Sequence, residues 1–296
     1  MKHLLLVSMI LFAGCGKKAP PAAPTPPAPV AAASAPAPPP PAPPPPPAPY
    51  EPAADVPDAI KAAITAPDRS EKDRQLDNGR KPAEILAFFK VAPGQKIGEL
   101  FSGPGYTTEL IARVVGPSGK VYAQNTKEVL DKFARGPLTD RLALPAMKNT
   151  VMVEQPAEMP FPAAAKNLDA VVCVLNYHDF VWLNVDRDKM NAAVFAALKP
   201  GGVYAIVDHS AAAGSGIRDV QTLHRIDEDT VKQEITKAGF TVDAESDLLR
   251  NASDPRDWNA SPKDAGDKRG TSDRFTLRFV KPAKGAKPAK PAKGGK

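Results

Sequence analysis

Cysteine is nearly missing from this 296-residue chain, which holds only Cys15 and Cys173. Cys173 sits inside the apolar run Ala170 to Leu175 and reads as a lone buried thiol, so no disulfide framework supports the fold. Histidine is scarce too, with four residues, and no Cys/His cluster has the spacing of metal ligands, so the sequence predicts no metal site. The apolar stretch Leu4 to Ala13 is too short to cross a bilayer as a helix and has the length of a secretory h-region. A charge surplus is also missing from the middle of the chain. The formal net charge is +6, and six lysines fall within residues 281–296. The remainder is therefore near neutral and gives no ground for nucleic-acid binding by a folded domain.

What is present divides the chain by composition. Residues 1–15 form a signal-like segment, and the small residues before Cys15 resemble a bacterial lipoprotein processing site, with Phe12 where an aliphatic residue is usual. That resemblance implies a lipid on Cys15 and, with Gly16 rather than an acidic residue next, an outer-membrane anchor on the periplasmic side. If the segment is not processed, the expected place is the cytoplasm. Residues 16–57 are almost wholly Pro and Ala and cannot bury enough apolar surface to fold, which predicts an extended polyproline linker. At about 3.1 Å per residue it would reach on the order of 100 Å. Residues 281–296 repeat Pro-Ala-Lys and Gly-Ala-Lys units, a basic disordered tail suited to anionic surfaces. Residues 58–280 remain as one domain with a sizeable core.

Within that domain strands and helices alternate. Apolar spacing and turn residues predict helices over Pro82 to Phe89, Thr107 to Val115, Lys127 to Phe133, Met190 to Leu198 and Asp229 to Ala238. Strands are predicted at Ile97 to Phe101, Lys120 to Gln124, Thr150 to Glu154, Leu168 to Asn176 and Val203 to Val207. Two more, Thr241 to Leu248 and Phe275 to Val280, follow with no long helix between them. The pattern is an α/β doubly wound, Rossmann-like sheet of seven strands with helices on both faces.

Three motifs stand out in it: the loop Glu99-Leu100-Phe101-Ser102-Gly103-Pro104-Gly105, Leu198 to Gly202 (Leu-Lys-Pro-Gly-Gly), and Ala238 to Phe240 (Ala-Gly-Phe). On these the chain resembles the class I S-adenosylmethionine-dependent methyltransferases from Pro82 to Val280. More narrowly it resembles a predicted bacterial group with an aromatic residue in the glycine loop and an Asp-Arg-rich run, here Asp68 to Lys81, ahead of it. The resemblance implies S-adenosylmethionine as cofactor, held by Glu99, Phe101, Ser102, Gly103 and Gly105. Gln124 and Asn125 stand where an acidic residue normally meets the ribose, so Asn125 would accept one weaker bond there. Gln155, Ala157 and Glu158 are expected near the adenine.

Methyl transfer needs an acceptor in line with the sulfonium methyl and sometimes a base. His178, Asp179, Asp208 and His209 follow the fourth and fifth strands, at the carboxyl edge where open α/β sheets bind ligands. The two histidines are the candidate bases. Arg69, Arg74 and Arg80 belong either to a solvated helix face or to a lid suited to an anionic small-molecule substrate. His224 and Arg225 either touch substrate or pair with Asp227 or Glu228. Since S-adenosylmethionine is cytoplasmic and a lipid on Cys15 would hold the domain outside, a non-catalytic envelope binding protein on the same scaffold stays open beside the enzyme. A nicotinamide-dependent oxidoreductase is the third reading, weakened because its loop needs a third glycine that this one lacks.

Overall fold

The computed structural model describes residues 48–283. Cys15, the signal-like segment, most of the Pro/Ala stretch and the tail beyond Ala283 lie outside the described residues. Seven strands form one sheet: β1 (Lys96–Leu100), β2 (Lys120–Asn125), β3 (Thr150–Glu154), β4 (Leu168–Val174), β5 (Leu198–His209), β6 (Thr241–Ser246) and β7 (Arg274–Val280). Their order is β3-β2-β1-β4-β5-β7-β6. All neighbours run parallel except β7, which lies antiparallel between β5 and β6. This is the expected doubly wound sheet.

Alternation along the strands builds a core on each face. On β4, Val171 and Cys173 join one cluster with Leu100, Tyr204 and Phe279. That cluster is covered by Met190 and Val194 of α8 (Arg187–Ala197) and by Val231 and Ile235 of α10 (Glu228–Lys237). Ala170 and Val172 join the other cluster, under α1 (Asp58–Thr65), α3 (Pro82–Phe88) and α4 (Tyr106–Val115), which contribute Ile60, Leu86 and Ile111.

Three local departures from the sequence reading matter for the site. β4 stops at Val174, because Leu175 takes φ +61° and Asn176 starts a short helix, α7 (Tyr177–Trp182). The Lys-Pro-Gly-Gly segment, ahead of the strand expected from Val203, is the irregular first part of β5, where the register against β4 shifts. Gly201, at φ +76°, donates its amide to Lys281 O. The packed chain also reaches back past Asp58. The Tyr50 hydroxyl bonds the Glu84 carboxylate and accepts from Ala83 N, and Val56 is buried.

Ahead of β1 the Asp-Arg-rich run forms α2 (Glu71–Arg80), capped by Ser70, whose side chain accepts from Asp73 N. The remaining helices are α5 (Lys127–Val129), continuing through a π turn into α6 (Arg135–Leu142), and α9 (Val220–Leu223). Among the described residues no helix is long and apolar enough to cross a membrane.

Candidate functional site

The glycine loop leaves β1 through three left-handed residues, Phe101 (φ +48°), Gly103 (φ +53°) and Gly105 (φ +91°). For Phe101 that conformation costs about 1–2 kcal/mol, offset by packing. Its ring is buried 4.5 Å from the Phe180 ring, and its amide donates to Gln124 Oε1. The ring therefore belongs to the core and not to the ligand side of the loop. Asn125 departs from expectation as well. Its Oδ1 accepts from Gly103 N at 2.9 Å and its Nδ2 donates to Ser102 Oγ at 2.8 Å, so the amide proposed for a ribose is spent holding the loop to β2. Gly105 faces α6 rather than a ligand: a Cβ there would meet Arg141 Cδ and Leu138 Cδ1 at 2.9 Å each.

Other parts of the loop do fit a cofactor. A Cβ on Gly103 would meet nothing within 4 Å, so ligand atoms can approach that backbone. Gly105 caps α4 with no side-chain hydrogen bond, which leaves free amides at the helix start. Glu99 is buried against Thr108 Oγ1, and burial pushes its carboxyl up to about 8. The residues thus fit the amino-acid end of S-adenosylmethionine and, in this conformation, not the ribose end. Gln155 and Glu158 do come together, lining a groove of about 430 Å³ with Thr126, Ala157, Leu183 and Val185.

Of the three α2-region arginines, Arg80 lines a cavity. Arg69 is buried in a two-pronged pair with Asp77 and also donates to Ile64 O, and Arg74 donates to Ala66 O. Arg225 is fully buried, paired with Asp254 rather than with Asp227 or Glu228, and lies over the Trp258 ring. All three are engaged with protein groups. Arg80 stacks on the Tyr106 ring and lines a cavity of about 230 Å³ with Gly79, Leu175, His209, Arg269 and Arg274.

Among the described residues none of the three cavity arginines pairs with a carboxylate. Asp73 is taken by Arg141, and Asp77 by Arg69 and Tyr106. Burial and the neighbouring Arg80 push the Arg274 guanidinium down to about 10. Arg269 and Arg274 carry no motif and escaped the sequence reading, since only the fold places them opposite α2.

The expected catalytic residues converge at the ends of β4 and β5. Asp208 accepts from His178 N (2.8 Å) and His209 N (2.8 Å) and bonds His178 Nδ1 (2.7 Å). Asp179 Oδ1 lies 3.4 Å from His178 Nε2 and 3.3 Å from His224 Nε2, a grouping that sequence spacing did not reveal. Burial pushes the His178 imidazolium down, but the carboxylates of Asp208 and Asp179 outweigh it and raise the group to about 9. Burial raises Asp179 to about 6 and, with His178, lowers His224 to about 4. His209 is held neutral by burial and by His178 and Arg274. Its Nδ1 bonds Ser272 Oγ at 2.7 Å, leaving Nε2 on a ring that lines the arginine cavity.

No family model matches the chain. The ubiquinone/menaquinone biosynthesis C-methyltransferase UbiE of Psychromonas ingrahamii is 29% identical over 121 residues, 40% of this chain and 45% of the relative. UbiE of Pasteurella multocida is 30% identical over 121 residues, 42% of its own length. The chain thus spans under half the length of these curated relatives. The crystal structure of a candidate sarcosine dimethylglycine methyltransferase from Galdieria sulphuraria superposes with a TM-score of 0.50 at 16% identity, covering 71% of this chain and 88% of that one. The chain has the class I methyltransferase fold and is similar, over part of its length, to the ubiquinone/menaquinone C-methyltransferases.

Proposed function

We propose that the protein transfers a methyl group from S-adenosylmethionine to a small acceptor carrying a carboxylate or phosphate. The observation that carries this reading is the arginine cavity, which opens at Leu175 and His209, the carboxyl ends of β4 and β5, where open α/β sheets take their ligands. The likeness to C-methyltransferases supports the reaction class. The guanidinium forks of Arg80, Arg269 and Arg274 match an oxyanion's geometry and hold the acceptor. His209 presents Nε2 into the same cavity and takes the acceptor's proton if one must leave.

The cofactor supplies an electrophilic methyl on a sulfonium sulfur. For it, the open space beside Gly103 admits the carboxylate to the α4 amides, Glu99 receives the ammonium, and the Gln155–Glu158 groove the base. Calorimetry of the full chain with S-adenosylmethionine and with its demethylated product tests this. Saturable heat that Gly103→Arg abolishes is expected; no heat at millimolar ligand overturns the assignment.

The engaged amide of Asn125 favours a second reading, a ligand-binding protein that keeps the scaffold without turnover. Binding without methyl transfer across a panel of small carboxylates and phosphates would select it. We further infer that Cys15 carries a lipid that anchors the chain to the envelope and that the lysine tail meets anionic surfaces. The unaltered chain is expected in the membrane fraction and Cys15→Ala outside it; equal fractionation of the two refutes the anchor.

A further inference from the structure

Three of the chain's four histidines meet beside the arginine cavity: the His178 ring lies 4.3 Å from that of His224 and 5.8 Å from that of His209. The backbone arranges this. Leu175 and Asn176 break β4 so that His178 and Asp179 fall in the first turn of α7. His224, left-handed at φ +56°, closes α9.

The hydrogen bonds then fix the chemistry of each ring nitrogen. Asp208 already accepts two backbone amides and faces His178 Nδ1 at 2.7 Å, so Nδ1 keeps its proton towards Asp208 and Nε2 is the nitrogen from which a cation can displace the other. That Nε2 is fully buried and has no hydrogen-bond partner. An orphaned polar atom of this kind is costly unless something else binds it. Nε2 instead shares a small space with Asp179 Oδ1 at 3.4 Å, and that oxygen lies 3.3 Å from His224 Nε2. All three donors fall within 4.8 Å of one another. Two ligand atoms that each sit about 2.0–2.1 Å from a tetrahedral ion are themselves about 3.3–3.4 Å apart, so both contacts have the separation of donors on one metal.

We propose that His178 Nε2, the Asp179 carboxylate and His224 Nε2 bind a divalent transition-metal cation of the Zn²⁺ type, with Asp208 orienting His178 from behind. Two imidazoles and one carboxylate suit Zn²⁺ or Co²⁺ better than Ca²⁺ or Mg²⁺, which prefer all-oxygen shells. An aspartate on the far nitrogen of a liganding imidazole is the usual outer partner in such sites. Three protein ligands leave a fourth position for water or another oxygen. The ion has a way in, since the side chains of Asp179 and His224 keep 19% and 23% of their exposure and exposed Trp182 flanks the His224 ring. This site stands on its own geometry and does not depend on methyl transfer.

The test is Zn²⁺ titration of the full, untagged chain against a chromophoric chelator, together with the visible spectrum after Co²⁺ loading. One equivalent per chain is expected, with the absorption of a tetrahedral Co²⁺ site. His224→Ala and Asp179→Asn, both at partly exposed positions, should each weaken binding by more than the roughly 100-fold upper limit for an outer partner, and Asp208→Asn by about 10–100-fold. Circular dichroism of each variant separates lost ligands from lost fold. No stoichiometric Zn²⁺ uptake, or uptake that both His224→Ala and Asp179→Asn leave unchanged, overturns the proposal.

Discussion

Glu99 is a carboxyl kept from water, and its energetics are opposite in sign to those of a surface glutamate. Folding lifts it from 4.5 to about 8, so the native state keeps a proton that the unfolded chain releases. Stability from this group is therefore complete below about pH 4.5 and declines as pH rises towards 8. Glu99→Gln keeps the shape and removes the titration. Its melting temperature should gain on the unaltered chain steadily between pH 5 and 8, and melting curves that shift in parallel would refute the burial argument. A ligand ammonium beside Glu99 would ionise it, so cofactor binding at pH 7 should release a proton, measured by calorimetry in buffers of different ionisation enthalpy. The cavity arginines give a second prediction at this scale. Three unneutralised guanidinium groups gain most from an oxyanion, and a ligand at 100 times its Kd adds about 2.7 kcal/mol to stability. Phosphate or a small dicarboxylate should thus raise the melting temperature beyond what matched chloride does. Arg274→Met should erase the difference, whereas a chloride effect of equal size would sink the anion site.

At the scale of elements, α2 and α6 together roof the glycine loop. Arg141 of α6 donates to Pro104 O and pairs with Asp73 of α2 and Glu109 of α4, while Tyr106 donates to Asp77. Arg141→Ala removes charge-assisted bonds worth on the order of 1.5–3 kcal/mol each. Amide hydrogen exchange over residues 71–80 and 101–106 should then quicken by one to two orders of magnitude while the β4 and β5 amides keep their protection; uniform quickening would mean global destabilisation. Local periodicity made most of the sheet legible in advance: Ile97, Val171 and Ile206 lie in runs only a strand can use. The glycine loop was legible for the same reason, a strand ending in Gly-x-Gly before a helix. What escaped depends on distant partners. The bulged start of β5 is set by β4 and Lys281 across the sheet, Asn125 is claimed by Ser102 and Gly103, and Arg69 and Arg225 find Asp77 and Asp254. A sequence shows that an arginine or an amide is present, but its partner is decided only when remote segments dock.

For the whole molecule the boundary of the folded unit is the testable quantity, because composition and packing disagree about it. Proline and alanine content carries the spacer to residue 57, yet Tyr50 bonds Glu84 and Ala83, Ala53 N donates to Glu84 Oε1, and Val56 lies in the cluster with Ile60 and Phe89. Burying one such aliphatic side chain is worth about 1.5–3 kcal/mol, and the hydrogen bonds of Tyr50 add about 1 kcal/mol each. A chain of residues 48–283 should therefore melt where the full chain melts. One of residues 58–283 should lose about 3.5–5 kcal/mol, read as a lower urea midpoint with an almost unchanged slope. Tyr50→Phe in the longer piece isolates the hydroxyl and should cost a fraction of that loss. Equal midpoints for the two lengths would return residues 48–57 to the spacer.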